Sequence, residues 1–332
     1  MHSSSIKKIV VIIVSRIGDT LLTTPAIESI ASHYKDAEIT VLAHPKRKSI
    51  VKHLPFVSKI GGISKYSAIY RARFGKNYDL AFVYGYDKSL VLYALRASSK
   101  VVAFKQKEKE INNKLYKSVD FPTSKNMHFV DIFMLLPQSI GILKNSGRLK
   151  LSIIKEECLL AKKILINNNL NNKLLIGIQA VSFPTKDYRD WPIKYFLDLC
   201  EKIIDQEPNV HFLIYGGPSQ KEKKKLELLC NGLKGNATQF IGMPLRETAA
   251  LMSRSHLYIG VDTGPTHIMS TFNIPMVVLF HCKLKSKIYG ALEHPHYFPI
   301  DHPNINDCSE KSAMSDISVK SVLKEVNNAL SK

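Results

Sequence analysis

Three polar turns, each following a short β-branched run, carry the residues with the most chemistry to offer. The first is SRIGD (15–19), after IVVIIV (9–14). Gly18 lets backbone approach closely, and the Asp19 carboxylate at the start of the next helix meets the positive end of its dipole. Beyond the carboxyl end of a first parallel strand, Asp19 faces the crevice where open α/β sheets bind ligands; on spacing alone it is also a plain helix cap. The second turn is DTGPTH (262–267). Amides at a helix N-terminus with hydroxyls beside them hold phosphate, so Thr263, Gly264 and His267 suit a diphosphate, with Asp262 ordering the loop or touching a sugar. A capped helix with His267 packed inside fits the same residues. The third, in QAVSFPTKDYRDWPIKYF (179–196), sets Ser182, Thr185, Lys186 and Arg189 before Trp191-Pro192, where a helix begins. Hydroxyls and cations suit phosphate contact, and they also suit a basic surface loop.

Turns of this kind need parallel strands behind them. The runs IVVIIV (9–14), EITVLA (38–43), DLAFVY (79–84) and KVVAF (100–104) alternate with amphipathic segments, the signature of strands joined by helical crossovers. After the polar stretch Asn167–Asn172 the pattern restarts with LLIGIQ (174–179), HFLIYGG (211–217), TQFIG (238–242), LYIGVD (257–262) and MVVLF (276–280). Two α/β units follow, expected over 1–168 and 169–316, with a last helix at 317–332. The charged, Asn-rich segment Lys105–Lys125 shows no clear period and is expected to be a mobile loop on the first domain.

A chain of 332 residues, 45% hydrophobic, suits two domains. The formal charge of +19 calls for an anionic partner: nucleic acid, a membrane surface or a phosphorylated substrate. No zinc-finger or RNA-recognition signature accompanies it, which disfavours nucleic acid, and the absence of G-x-G-x-x-G disfavours an oxidoreductase. The five cysteines are widely spaced with no C-x-x-C pair, which implies a reducing compartment. The apolar run near the start, Ile9 to Val14, is far shorter than the roughly 20 residues that span a bilayer, and no small-residue cleavage site follows it. A cytoplasmic location is expected.

With the turns in place, the sequence resembles the heptosyltransferase family of bacterial glycosyltransferases (glycosyltransferase family 9). SRIGDTLLTTPAI (15–27) is similar to the family's amino-terminal motif and YIGVDTGPTHIMSTFNIPMVVLF (258–280) to its carboxy-terminal donor motif; RDWP (189–192) and YGGPSQ (215–220) extend the resemblance over most of the chain. The resemblance implies a GT-B fold, with two Rossmann-like doubly wound domains facing a central cleft: an acceptor domain first, a nucleotide-sugar domain second, and the last helix packing back toward the first. It implies a metal-independent, inverting transfer of heptose from ADP-L-glycero-β-D-manno-heptose to a phosphorylated lipopolysaccharide-core acceptor at the anionic inner-membrane leaflet.

By the same resemblance Asp19 is the catalytic base, Thr263, Gly264 and His267 contact donor phosphates, Asp262 is a donor-site acid, and Arg189 is a phosphate ligand with Ser182 and Thr185 nearby. Arg16, Lys46 and Arg47 are the acceptor-side candidates. Gln220 stands where the family often has a ribose-binding Glu, with Glu222 two residues on, and His281-Cys282 replaces a common Gly after Phe280. Inverting transfer needs one general base, and with no D-x-D motif to hold a cation, helix amides and Arg189 supply the field for the departing diphosphate. The rival readings are another nucleotide sugar, or a non-catalytic nucleotide or glycolipid binder of the same fold.

Overall fold

The computed structural model describes residues 6–71, 77–123, 126–304 and 308–331. The chain divides into two compact units, Met1–Ser152 and Ile153–Lys332. In the first, the described elements are β1 (Lys8–Ile13), α1 (Ile17–Leu22), α2 (Thr24–His33), β2 (Glu38–Ala43), β3 (Lys59–Gly62), α3 (Lys65–Arg71), β4 (Tyr78–Tyr84), α4 (Lys88–Ala97), β5 (Ser98–Phe104), α5 (Lys109–Asn112), β6 (Lys117–Val119) and α6 (Phe129–Gln138). The strands pair in the order β3-β2-β1-β4-β5-β6, all parallel. The inner strands are covered by helices on both faces and therefore read as unbroken apolar runs: in β1 every residue after Lys8 is buried. The α4 face made of Leu90, Val91, Ala94 and Ala97 packs into one side of this core, and Asp87 caps that helix by accepting from Ser89 N at 3.1 Å.

The second unit repeats the plan with α7 (Lys155–Asn167), β7 (Leu174–Gln179), α8 (Ile193–Gln206), β8 (Val210–Gly216), α9 (Gln220–Gly232), β9 (Ala237–Ile241), α10 (Leu245–Met252), β10 (Leu257–Val261), α11 (Gly264–Met269), β11 (Met276–Phe280), α12 (Ser286–Tyr289), β12 (Tyr297–Asp301) and α13 (Val319–Leu330). Its order is β12-β11-β10-β7-β8-β9. Counted from the first strand of each unit, both sheets have the doubly wound order 3-2-1-4-5-6. Phe196, Leu199, Cys200 and Ile203 form the buried stripe of α8 at helical spacing, and Trp191, fully buried, donates its indole N–H to Ile317 O at 2.9 Å.

Several expectations change. The described part of the segment Lys105–Lys125, residues 105–123, is not simply a loop: it contains α5 and the edge strand β6, where Val102 pairs with Lys117 and Phe104 with Val119, while 124 and 125 lie outside the described residues. The division between units falls at Ser152 rather than near 168, because α7 docks on α10, where Arg246 forks onto Glu157 through Nε (2.8 Å) and an Nη2 contact of 2.5 Å. The last helix, expected to pack toward the first domain, commits its apolar face (Val322, Val326, Ala329) to the second unit's core against α8 and β11. The widely spaced cysteines, from which a reducing compartment is expected, include one bonded pair: Cys282 and Cys308 form a disulfide with a Cα–Cα distance of 5.7 Å. Among the described residues, no helix is long and apolar enough to cross a membrane.

Candidate active site

In a doubly wound sheet the ligand crevice opens beyond the carboxyl ends of the two neighbouring strands whose connections leave in opposite directions. In the first unit those strands are β1 and β4, with Ile13 opposite Tyr84; in the second they are β7 and β10, with Gln179 opposite Gly260. The turns singled out by sequence leave the sheets at these points.

At the end of β1, Arg16 occupies the cap position of α1 and Asp19 the third helical position. Its carboxylate turns back: Oδ2 accepts the Ser15 hydroxyl and lies 3.4 Å from Arg16 N. Asp19 thus satisfies a helix-start amide in part, and its half-buried carboxylate keeps further acceptor capacity. Arg47 joins this turn, donating from Nη1 to Ser15 O at 2.7 Å, whereas Arg16 and Lys46 are exposed.

In the second unit the carboxyl end of β10 gathers buried polar groups. Asp262 is 5% and His267 7% exposed, with His267 Nε2 3.6 Å from Asp262 Oδ1. Arg189 Nη1 lies 3.6 Å from Asp262 Oδ2 and 3.5 Å from its carbonyl oxygen. All three separations are longer than good hydrogen bonds, and the Arg189–Asp262 carboxylate contact is an ion pair. Arg189 Nε and Gln179 Oε1, both buried, have no hydrogen-bond partner among the described residues, and such groups call for an explanation. Thr263 occupies the N-cap position of α11 with no hydrogen bond from its side chain to the helix amides, and Gly264 is the first helical residue.

The structure therefore brings Arg189, Asp262, Thr263, Gly264 and His267 together. Ser182 and Thr185 fare differently. Ser182 is spent on the loop, its Oγ lying 2.6 Å from both Asp190 Oδ1 and Lys186 O, while Thr185 is exposed. Gln220 is exposed on the first turn of α9; Glu222 instead turns inward, its Oε2 accepting from Gly217 N at 2.9 Å, and burial raises its carboxyl above the usual range.

Some residues that shape this region were assigned no role from the sequence. Asp190 anchors the turn that carries Arg189: its Oδ1 accepts from Ser182 N (2.6 Å) and its Oδ2 from Lys225 Nζ (2.7 Å) on α9. Tyr258 donates its hydroxyl to Thr266 Oγ1 (2.8 Å), and Thr266 in turn donates to Val261 O (2.6 Å), which pins the start of α11 to the strand. A Cβ on Gly260 would stand 2.6 Å from the Tyr258 hydroxyl, so glycine leaves room for that phenol two residues away on the same face. His281, after β11, meets Ser312 O at 3.1 Å through Nε2 and the Tyr188 ring edge-on at 4.9 Å; burial lowers its pKa. The motif composition flagged His281, but the neighbours that fix it lie 31 and 93 positions away.

Comparison with known proteins places this geometry. Residues 70–314 match Glycosyltransferase family 9 (heptosyltransferase). The chain is 21% identical to the lipopolysaccharide core heptosyltransferase OpsX of Haemophilus influenzae over 298 residues, covering 87% of this chain and 83% of that protein. Among solved structures it resembles a glycosyl transferase family 9 protein from Veillonella parvula (TM-score 0.86, 20% identity, 98% of this chain and 97% of that one). It also resembles the ADP-heptose LPS heptosyltransferase II of E. coli (TM-score 0.78, 18% identity, 97% and 98%).

Proposed function

The chain belongs to glycosyltransferase family 9, the heptosyltransferases, and we propose on that basis that it moves a heptose from ADP-heptose to the inner core of lipopolysaccharide with inversion. The fold is GT-B. The observation that carries the donor side is the set of buried Asp262 and His267 with half-buried Arg189 at the β7–β10 crevice. A carboxylate in an anion site is repulsive unless paired; Asp262, flanked by the Arg189 guanidinium and the His267 imidazole, holds both side chains in place for the diphosphate. On the acceptor side Asp19 takes the proton. The acceptor oxygen forms its bond to the anomeric carbon as the bond to the diphosphate breaks, the proton passes to the Asp19 carboxylate, and the electron pair leaves on ADP, whose added charge meets Arg189.

No step in this scheme needs a metal, because fixed cations supply the field. Purified protein supplied with ADP-heptose and core acceptor is expected to release ADP and to extend the core by one heptose at the same rate with and without excess EDTA. Failure to transfer from ADP-heptose, with transfer from another nucleotide sugar, reassigns the donor. A strict need for added Mg²⁺ or Mn²⁺ overturns the metal-free scheme.

We propose further that the protein is cytoplasmic and works on the anionic face of the inner membrane. A charge of +19 supports that reading, and attraction between exposed charges shrinks in reach from about 10 Å at 0.1 M salt to about 3 Å at 1 M. Sedimentation with phosphatidylglycerol vesicles but not phosphatidylcholine vesicles, with release at about 0.5 M salt, is the expected result. Equal, negligible sedimentation with both removes membrane attraction from the account.

A further inference from the structure

The first unit has a feature at its crevice that the base and the cations do not use. Strand β4 runs beside β1, so the turn after Tyr84 leaves the sheet next to the turn that carries Ser15 and Asp19. That turn is Gly85-Tyr86-Asp87. Gly85 has φ +137°, a conformation that side-chain-bearing residues rarely adopt, and Asp87 is fixed as the cap of α4 through Ser89 N and by Lys65 Nζ at 3.1 Å. Tyr86 is therefore preceded by a turn conformation that glycine alone adopts readily and followed by a fixed helix cap.

Tyr86 is 54% exposed, yet other rings back its own. Phe121 lies edge-on at 5.4 Å and Phe104, itself 1% exposed at the end of β5, at 6.2 Å; Phe104 and Phe121 are 5.2 Å apart. The three rings form an aromatic wall along the carboxyl edge of the sheet from β4 to β6. Partial burial pushes the Tyr86 phenol up to about 12, so its hydroxyl is neutral at physiological pH. A rigid ring of this kind costs little side-chain entropy to order and presents apolar area with a polar tip.

We propose that Tyr86, backed by Phe104 and Phe121, is a stacking platform for a pyranose ring of the acceptor, and so a specificity-determining residue on the acceptor side. A pyranose has an apolar face of ring C–H groups, which the aromatic face covers while the hydroxyls stay hydrogen-bonded at the rim. The same π-face is electron-rich and repels phosphate, so phosphates of the acceptor fall to the exposed cations Arg16 and Lys46. This assignment rests on the reading of the first unit as the acceptor domain.

The test uses the full chain and a soluble, fully deacylated lipopolysaccharide inner-core oligosaccharide, titrated calorimetrically. Tyr86→Ala is expected to weaken binding at least about tenfold, while Tyr86→Phe and Tyr86→Trp stay within about threefold, since stacking and not the hydroxyl carries the contact. ADP affinity and melting temperature should match wild type in all three, which shows the variants are folded. Equal binding by Tyr86→Ala and wild type overturns the platform and leaves the acceptor domain standing. Loss of vesicle binding by Tyr86→Ala with the oligosaccharide still bound normally assigns the ring to lipid and also overturns it. If wild-type protein binds no core oligosaccharide at all, the acceptor reading of the unit falls, and the platform with it.

Discussion

Asp19→Asn is expected to lower the rate of transfer by about 10²- to 10⁴-fold, the range typical for a lost general base, with ADP affinity and thermal stability unchanged. The substitution separates two roles that the structure superimposes on one carboxylate. As a helix-start group, Asp19 needs only an oxygen that accepts from Ser15 Oγ and Arg16 N, and the asparagine carbonyl offers one in the same place. As a base it needs a proton affinity that an amide lacks. A variant that folds normally, binds ADP normally and does not transfer assigns the second role. Unchanged turnover would leave Asp19 as a structural cap and remove it from the mechanism. Ser15→Ala serves as the companion: Ser15 orients the carboxylate without exchanging a proton with substrate, so the loss should be smaller and confined to kcat.

Arg189→Ala should weaken ADP binding by about ten- to a hundredfold, the equivalent of losing hydrogen bonds to a charged group, roughly 1.5–3 kcal/mol. The loss comes from two directions. The diphosphate loses a donor, and the buried Asp262 carboxylate loses a flanking cation and becomes a repulsive neighbour for the phosphates. Adding Asp262→Asn to Arg189→Ala is therefore expected to recover part of the affinity. Arg189→Lys should fall between, because an ammonium keeps the charge but not the planar fork. Calorimetric titration with ADP reads all of these, and an unchanged Kd for Arg189→Ala would take the residue out of the donor site. Asp190→Asn gives a milder version of the same defect, since Asp190 only anchors the turn through Ser182 N and Lys225; a drop as large as that of Arg189→Ala would mean that it meets the nucleotide directly.

The disulfide bears on the compartment reading but leaves the donor argument intact. Cys282 follows β11 and Cys308 lies beyond β12, and these strands are neighbours, which brings together two cysteines 26 residues apart in sequence. Even widely spaced cysteines pair when adjacent strands carry them to the same sheet end.

Local pattern alone determined the inner architecture. Strands buried on both faces must be apolar at nearly every position, so LLIGIQ and MVVLF mark β7 and β11 at their observed bounds, and the turns after β1, β7 and β10 follow from strand ends. The family resemblance added roles to those turns, and Asp19, Arg189, Asp262 and His267 emerge at the two crevices because the strand order puts β1 beside β4 and β7 beside β10. What the pattern left out lies at the edges. KIGG, KSV and YFPID, three of the four edge strands (β3, β6 and β12), are partly exposed and therefore carry no continuous apolar signal; only pairing with β2, β5 and β11 makes them strands. The same holds for every feature that depends on a distant partner. The choice of Glu222 over Gln220 as the inward carboxylate depends on Gly217 N. The membership of α7 in the second unit depends on Arg246, and the course of Arg47 on Ser15 O. A segment's own periodicity states how much of it is buried, but the group that buries it or accepts its hydrogen bond is chosen by the tertiary fold, and in these places that choice was made far away along the chain.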